Sequence, residues 1–363
     1  MKRHFFQNEA ARRAVSLRSA KIHSCISNMI LRRFTLAFVT VAAGLLAVQT
    51  ASAEPKKVIV VTTTTGFRHG SIPFAEKTLA KLAETSGAFT IVDWAQQPDI
   101  QVPQKPNKPK DLPATADDKA KANYEKQLKG YQDALAKWTP EIEAKAKAAK
   151  AELDAGIKKA LEKLSPENLR AKGIDGVIFA NTTGDLPLPD KDGFIKWIEE
   201  GHAFIGTHSA SDTFHGFPGY LDMLGGEFQT HRFQVPADLV AGDTQSPANA
   251  GIGDKWDIKQ EEVYLIKRQD PAKVHSIFFL RHDPNFPDQK GHWGVAWVKA
   301  AGKGRVFYTS LGPREDLWSD DPSLKGRINS VELSKQYQAH LLGGIKWALG
   351  LAEGSDKPNP EVQ

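Results

Sequence analysis

The sequence predicts an α/β fold built on a mostly parallel β-sheet. Short apolar runs, several of them β-branched, alternate with segments that carry helix signals from residue 56 to residue 349. Such continuous apolar runs are typical of strands buried on both faces, as in a parallel sheet covered by helices. With 40% hydrophobic residues among 363, the chain has enough apolar material for at least one sizeable core.

The predicted elements follow one another along the chain. Residues 58–61 form the first strand, and Ser71, Ile72 and Pro73 begin a helix that ends at Gly87. The other predicted strands are 89–92, 176–180, 203–206, 294–298 and 305–309, and the other helices are 192–200 and 334–349. This alternation predicts one α/β domain over residues 54–350, followed by a flexible tail at 351–363.

A segment between the second and third strands departs from this rhythm. Residues 98–113 are rich in Pro and Lys, and two apolar stripes of helical spacing follow, at 124–138 and 142–164. We predict a Pro/Lys-rich loop and an antiparallel helical hairpin inserted at 98–165. Since the stripes can bury each other, the hairpin is either a solvated arm or an arm that closes as a lid or docks a protein partner.

Residues 1–53 have the pattern of a cleaved leader. A short basic stretch at 29–33 precedes an apolar run at 34–48, and small residues at 51–53 form a cleavage signal. The run is shorter than the roughly twenty residues of a membrane-spanning helix, with a retained anchor as the alternative. Residues 1–28 are either a long basic region or an over-extended start. We expect a periplasmic or secreted protein, cleaved after Ala53.

This leader also accounts for the positive charge of the chain. The net charge is +5, but residues 1–53 hold eight basic residues and one acidic residue, so the remainder is slightly acidic. A mildly acidic body has no general attraction for phosphate backbones, and no nucleic-acid partner is expected. The single cysteine, Cys25, precedes the cleavage site, so the mature chain has no thiol for a disulfide, a metal or catalysis.

Chemistry in such a sheet is expected in the loops beyond the carboxyl ends of its strands. The first of these loops, 62–71, presents Thr65, Arg68 and His69 before a helix, which suits a hydroxyl-rich or anionic ligand. It lacks the glycines and lysine of a phosphate-binding loop, so no nucleotide is expected. Arg68 either binds substrate or pins the loop, and His69 is either catalytic or a local hydrogen-bond partner.

The loop after the fourth strand carries a sharper signal. Small residues surround His208 as they surround the nucleophile in the strand-to-helix elbow of many α/β hydrolases. An imidazole at this apex is a general base, a nucleophile, a metal ligand or a structural histidine. Ser209 points aside from the apex, which argues against a serine hydrolase and leaves it a substrate contact. Asp212, at the end of the same segment, is a candidate catalytic partner.

Further polar residues are predicted to converge on this apex. Glu262 is one of two adjacent glutamates at the start of a predicted strand, where neighbouring side chains face opposite ways and one can point inward. His231 and His292 lie in loops, and Trp293 offers a surface of the kind on which sugar rings stack. Together with His208, these histidines and Glu262 suit Zn²⁺ or a similar divalent ion, although no short metal motif is present.

Several of these motifs, taken in order, resemble the ThuA-like (trehalose utilisation) family. The resemblance rests on residues 64–69, 181–185, 206–212, 262–264 and 304–312. It implies a flavodoxin-like sandwich similar to the class I glutamine amidotransferases, and a connection with carbohydrates or keto-sugars. Thr183, in the second motif, joins the predicted substrate contacts.

The sequence also departs from these relatives. Amidotransferases carry Cys at the elbow where His208 stands, so amidotransferase activity is not expected. Pro313 follows residues 310–312, where members of the ThuA-like family commonly have His. Any role of that histidine in the family is therefore not expected in this chain.

Two functions are compatible with these features. The first is an exported hydrolase, isomerase or lyase acting on a sugar or keto-sugar, with His208 as base or metal ligand. The second is a non-catalytic carbohydrate-binding or scaffold protein. Convergence of His208, His231 and Glu262 in one cleft would favour the enzyme.

Overall fold

The computed structural model describes residues 54–285, 288 and 293–362. The predicted leader at 1–53 and the loop residue His292 lie outside the described residues. Among the described helices, none is both long enough and apolar enough to cross a membrane.

A nine-stranded sheet organises this domain, in the order β2-β1-β3-β4-β11-β10-β9-β6-β7. Five strands, β2, β1, β3, β4 and β11, run parallel, and the remaining four add antiparallel pairs at one side. The strands are β1 (Lys56–Val61), β2 (Phe89–Ala95), β3 (Gly176–Ala180), β4 (Ala203–Thr207), β5 (Glu227–Thr230), β6 (Gln234–Ala241), β7 (Lys255–Glu262), β8 (Leu265–Lys267), β9 (His275–Leu280), β10 (Trp293–Ala301) and β11 (Gly304–Thr309). Strands β5 and β8 form a separate two-stranded sheet. The predicted α/β fold with a mostly parallel sheet is confirmed.

Helices cover both faces of the large sheet. They are α1 (Ile72–Ser86), α2 (Asp118–Ala136), α3 (Pro140–Leu161), α4 (Pro166–Ala171), α5 (Lys191–Glu199), α6 (Pro218–Leu224), α7 (Glu315–Trp318) and α8 (Val331–Ala348). Side chains of β1 alternate between two hydrophobic clusters, with Val58 and Val60 facing α1, α7 and α8 and with Ile59 and Val61 facing α3 to α6. Because both faces are buried, each parallel strand reads as a continuous apolar run.

The antiparallel half of the sheet corrects one detail of the sequence analysis. Residues 261–264 were expected to begin a strand, whereas β7 ends at Glu262 and β8 begins three residues later. Glu262 therefore lies at a strand end, where its side chain is free to turn toward the loops of the parallel half.

The predicted insertion contains both expected helices, α2 and α3. The residues of the apolar stripe on α2 are half-buried, and the rest of that helix is exposed. Asp117 and Thr139 cap the two helices by accepting hydrogen bonds from backbone N–H groups. Tyr124 donates a hydrogen bond to Asp111 in the Pro/Lys-rich segment, which ties that segment to the hairpin.

The segment after residue 350 is not the flexible tail that the sequence suggested. Asn359 is 8% exposed, and its side chain exchanges hydrogen bonds with the backbone of Ser276 at 2.7 and 3.1 Å. The Lys357 carbonyl accepts a hydrogen bond from His275 at 2.6 Å. These contacts attach Lys357 and Asn359 to β9, while most other residues of the segment are exposed.

Close packing of α8 on the sheet yields a test of the fold. A Cβ built on Gly344 would lie 2.2 Å from the Phe307 ring, so Gly344→Ala forces α8 away from β11. Overpacking of this kind costs about 1–3 kcal/mol. At Gly130 in α2, no described atom lies within 4 Å of such a Cβ, and Gly130→Ala should stabilise by about 0.5–1 kcal/mol. Urea unfolding of both variants should show a lower free energy of unfolding for Gly344→Ala and a higher one for Gly130→Ala. Equal changes in the two variants would contradict this packing.

Candidate metal centre

The predicted elbow is present at the end of β4. His208 follows Thr207 directly, is fully buried, and has a φ of 47°, a left-handed conformation that a non-glycine residue adopts only when its surroundings impose it. Its Nδ1–H donates a hydrogen bond of 2.8 Å to the carbonyl oxygen of Ser310, which follows β11. A carbonyl only accepts, so this contact fixes the proton on Nδ1 and leaves Nε2 as the atom that meets other groups.

Two of the predicted side chains approach this nitrogen, and a third approaches Glu262. His69 Nε2 lies 3.2 Å from His208 Nε2, and Glu262 Oε2 lies 3.5 Å from the same atom. His231 Nε2 is also 3.5 Å from Glu262 Oε2. The ligand atoms of His69, His208 and Glu262 all lie within 4.8 Å of one another. Four of the predicted site residues therefore converge, and His231 joins the group through Glu262.

The Glu262 carboxylate is the unusual member of this group. Within the described part of the chain, its buried Oε2 receives no hydrogen bond, whereas Oε1 accepts one from Gln234 at 3.2 Å. Burial opposes ionisation of Glu262, but its interactions with His208 and His231 outweigh burial and lower its pKa to about 2. A buried, ionised oxygen without a donor is costly, so the site has a place for a cation.

His69 completes the electrostatics of the site. Burial first, and then the proximity of His208, lowers the pKa of His69 to about 3. Its Nδ1 lies 3.3 Å from Ser209 Oγ, a hydroxyl that can either donate or accept and so allows either tautomer. A neutral imidazole beside an ionised carboxylate is the protonation state that metal ligands require.

The spacing of these atoms matches that of metal ligands. Bonds of 2.0–2.2 Å around a tetrahedral ion place ligand atoms about 3.3 Å apart. The His69–His208 and His208–Glu262 separations, 3.2 and 3.5 Å, are close to this value, and all three ligand atoms lie within 4.8 Å of one another. Two imidazoles and one carboxylate with an open position are a ligand set of catalytic zinc and of non-haem iron.

The sequence analysis did not predict a site role for Tyr264. Its hydroxyl lies 2.8 Å from His208 Nε2, and its ring centroid is 4.6 Å from that of His208. The sequence did contain a signal for Tyr264, because it lies two residues after Glu262 in one of the motifs that resemble the ThuA-like family. The adjacent Tyr308 donates a hydrogen bond of 2.7 Å to the His208 carbonyl and holds the elbow from behind.

A buried asparagine aligns the loops that carry the site. Asn181 follows β3, is fully buried, and donates hydrogen bonds of 2.9 Å to Ser71 Oγ and to the Gly312 carbonyl. Its Oδ1 accepts a hydrogen bond of 2.8 Å from Thr207 Oγ1. One amide thus joins the carboxyl ends of β3, β4 and β11 to the start of α1, where the parallel strands bring them together.

In the first two loops, the residues predicted to contact substrate instead make hydrogen bonds that fix the loop backbone. Arg68 donates a hydrogen bond of 2.8 Å to the Thr62 carbonyl and another to Gln97, so it pins its loop. The Thr65 backbone N–H bonds to the Thr183 carbonyl at 3.0 Å. Thr183 Oγ1 donates in turn to the Phe67 carbonyl at 2.8 Å. Only Thr65, whose side chain is exposed, and Ser209 beside His69 remain placed for contact with a ligand.

Two predicted site residues lie elsewhere, which corrects the sequence analysis. Trp293 is 6% exposed and belongs to the hydrophobic cluster beneath α8, so its ring is not a stacking surface. Asp212 does not pair with His208 and instead accepts a hydrogen bond of 2.6 Å from His215. The role predicted for His292 stays a prediction, because that residue lies outside the described ones.

His215 predicts a pH-dependent contribution to stability. Its ring nitrogens lie 2.6 Å from Asp212 and 2.7 Å from Glu227, which also pairs with Lys267 at 3.1 Å. Burial opposes protonation of His215, but these two carboxylates outweigh burial and raise its pKa above the usual 6.5. The stabilisation is therefore complete below the unfolded pKa and is lost as pH rises through the raised folded value.

Replacement of this residue tests that linkage. We expect His215→Gln to lose more free energy of unfolding at pH 6 than at pH 9, as measured by urea titration at both values. A loss of the same size at both pH values would show that the imidazolium does not bridge Asp212 and Glu227.

Fold and site together define a flavodoxin-like α/β protein with a histidine elbow. The chain belongs to the ThuA family, described as trehalose utilisation, whose model matches residues 57–348. A ThuA-like protein from Parabacteroides merdae is similar in structure, with a TM-score of 0.50 and 14% identity over 85% of this chain and 99% of that one. One from Bacteroides uniformis has a TM-score of 0.48 and 16% identity over 86% and 98%. No functionally curated protein matches at a significant level.

Proposed function

We propose that this protein is an exported, metal-dependent enzyme that acts on a carbohydrate. The observation that carries the proposal is the buried Glu262 Oε2, which has no hydrogen-bond donor among the described residues and lies 3.5 Å from two imidazole nitrogens. The family relationship supports carbohydrate as the substrate class. The leader pattern of residues 34–53 supports export.

His69, His208 and Glu262 are the proposed ligands of the ion. Each ligand is fixed by a second contact: His69 by Ser209, His208 by the Ser310 carbonyl, and Glu262 by Gln234. Partners of this kind orient metal ligands and tune their basicity. A bound divalent ion would polarise a hydroxyl or carbonyl oxygen of the sugar and stabilise negative charge on it.

His231 is the proposed acid–base group. Its side chain is 32% exposed, more than those of Glu262 and His208, and its Nε2 lies 3.5 Å from Glu262 Oε2. It can therefore reach a bound sugar from the solvent side while the carboxylate orients its ring. Proton transfer beside a polarised oxygen serves hydrolysis, isomerisation and elimination alike, and the reaction belongs to one of these three classes.

Metal content and turnover, measured together, test this function. The mature protein, residues 54–363, should contain about one divalent ion, and NMR should show conversion of trehalose, another disaccharide or a keto derivative of one. Chelation should abolish conversion and Zn²⁺, Mn²⁺ or Co²⁺ should restore it. His208→Ala should lose both ion and turnover, whereas His202→Ala, which removes an imidazole from the opposite, amino-terminal end of β4, should keep both.

Two results would contradict the proposal. Turnover that survives chelation and His208→Ala would remove the metal centre from the mechanism. Saccharide binding without any turnover would favour the non-catalytic binding protein instead.

A further inference from the structure

Two phenylalanine side chains are far more exposed than their chemistry favours. Phe67 is 70% exposed and Phe233 is 73% exposed, the highest values among the large hydrophobic residues that the structure describes. An aromatic ring in water forfeits roughly 1.5–3 kcal/mol that burial would supply. The Phe67 ring contacts His69, Phe233 lies two residues after His231, and neither was singled out by the sequence analysis.

Phe67 borders the site on the side of His69. Its ring meets the His69 ring edge to face, with centroids 4.8 Å apart. Its carbonyl accepts the 2.8 Å hydrogen bond from Thr183, a residue of the next loop, so the backbone that carries the ring is held in place. The Phe67 ring is therefore exposed on a backbone segment whose position is fixed.

Phe233 borders the site on the side of His231. Its backbone N–H and carbonyl contact the side chain of Asn285 at 3.4 and 3.1 Å, and Asn285 is 8% exposed. The next residue, Gln234, donates to Glu262 Oε1. Phe233 is thus attached to the group that holds Glu262, and its ring faces solvent.

A series of ring contacts connects the two borders. From Phe67 the centroid distances are 4.8 Å to His69, 4.6 Å onward to His208, 4.6 Å to Tyr264 and 5.7 Å to His231. Phe233 follows His231 by two residues. Phe67 therefore lies at one end of this series of rings, and His231, two residues before Phe233, lies at the other end.

We propose that Phe67 and Phe233 are two saccharide-stacking positions, each of which receives one sugar ring. The C–H face of a pyranose is apolar and packs on an aromatic face, while its hydroxyl edge stays available to polar groups such as Thr65 and Ser209. A disaccharide is then the smallest ligand that occupies both positions, with its linkage beside the ion. The inference rests on the proposed function for the saccharide class of the ligand and for that last placement.

Calorimetry with defined probes tests the two positions. Trehalose, maltose and cellobiose are compared with methyl α-D-glucopyranoside, and at least one disaccharide should bind wild-type protein tenfold or more tightly than the monosaccharide. Phe67→Ala and Phe233→Ala should each reduce that affinity to the level of the monosaccharide. Phe→Tyr at either position should retain it, and Phe→Leu, which is apolar but has no aromatic face, should not.

The control is Val92→Ala, which removes an apolar group that is 42% exposed on the far edge strand β2 and should leave saccharide affinity unchanged. Unchanged disaccharide affinity in both alanine variants, or no disaccharide binding by wild-type protein, would overturn the proposal. Zn²⁺ titration of the same variants should give wild-type affinity. A protein that binds disaccharide through both rings but holds no metal would retain this subsite and refute the proposed function.

Discussion

Glu262→Gln is expected to lower the affinity for Zn²⁺ at least a hundredfold while the protein stays folded. The substitution preserves the size of the side chain and an acceptor for Gln234, but it removes the negative charge from the oxygen that faces His208 and His231. Loss of a partner outside the ligand set already costs about 10–100-fold in metal affinity, and loss of a ligand should cost more. Isothermal titration with Zn²⁺ measures the change, and circular dichroism confirms the fold.

The neighbouring glutamate supplies a matched control. Glu261 is 1% exposed, and burial, followed by the proximity of Glu262, raises its pKa well above the usual range. Its Oε1 accepts a hydrogen bond of 2.9 Å from the Glu262 N–H, and a glutamine oxygen can accept the same bond. Glu261→Gln should therefore bind Zn²⁺ as the wild type does. Equal losses at the two positions would mean that Glu262 acts through the fold and not as a ligand.

The second large effect is expected at Asn181. Asn181→Ala removes three buried side-chain hydrogen bonds, each worth about 1 kcal/mol, at a residue with a φ of 54° that suits asparagine better than alanine. We expect a loss of about 3–4 kcal/mol in the free energy of unfolding, together with weaker Zn²⁺ binding, because the loops of His69 and His208 lose their common support. Urea unfolding and metal titration measure the two effects.

An exposed asparagine separates this effect from a general cost of truncation. Asn168, in α4, donates one exposed hydrogen bond to the Glu162 carbonyl, and Asn168→Ala should cost about 0.5 kcal/mol or less. A comparable loss of free energy of unfolding in the two variants, or full Zn²⁺ affinity in Asn181→Ala, would contradict this role. Asn181 would then not be the residue that links the strand ends.

The parallel half of the sheet was predictable because its strands are buried on both faces. The runs at 58–61, 176–180 and 203–206 have no polar interruption, and the structure places each in a strand with bounds that differ by at most two residues. Strands β6 and β7 alternate buried apolar residues with exposed polar ones, which is the pattern of a half-buried antiparallel strand and contains no continuous apolar run. The apolar run of β9 was readable but was not assigned.

The proximity of His69 and His208 follows from sheet topology, whereas the positions of Trp293 and Asp212 depend on side-chain burial and pairing. His69 and His208 follow strands β1 and β4, and parallel strands bring their carboxyl ends to one edge of a sheet. Trp293 and Asp212 were chosen by residue type, but type does not reveal that one packs in the core and the other pairs with His215. Tyr264 and Phe233 required the pairing of the distant antiparallel strands, which no local pattern specifies.

Anomalous diffraction from crystals of the mature protein grown with Zn²⁺ shows whether the ion binds at His69, His208 and Glu262. Data collected on both sides of the zinc absorption edge should give a peak bonded to His69 Nε2, His208 Nε2 and Glu262 Oε2, at about 2.0–2.2 Å from each. An occupied zinc site elsewhere in the molecule, with these three atoms in contact only with one another or with water, would contradict the proposed metal centre.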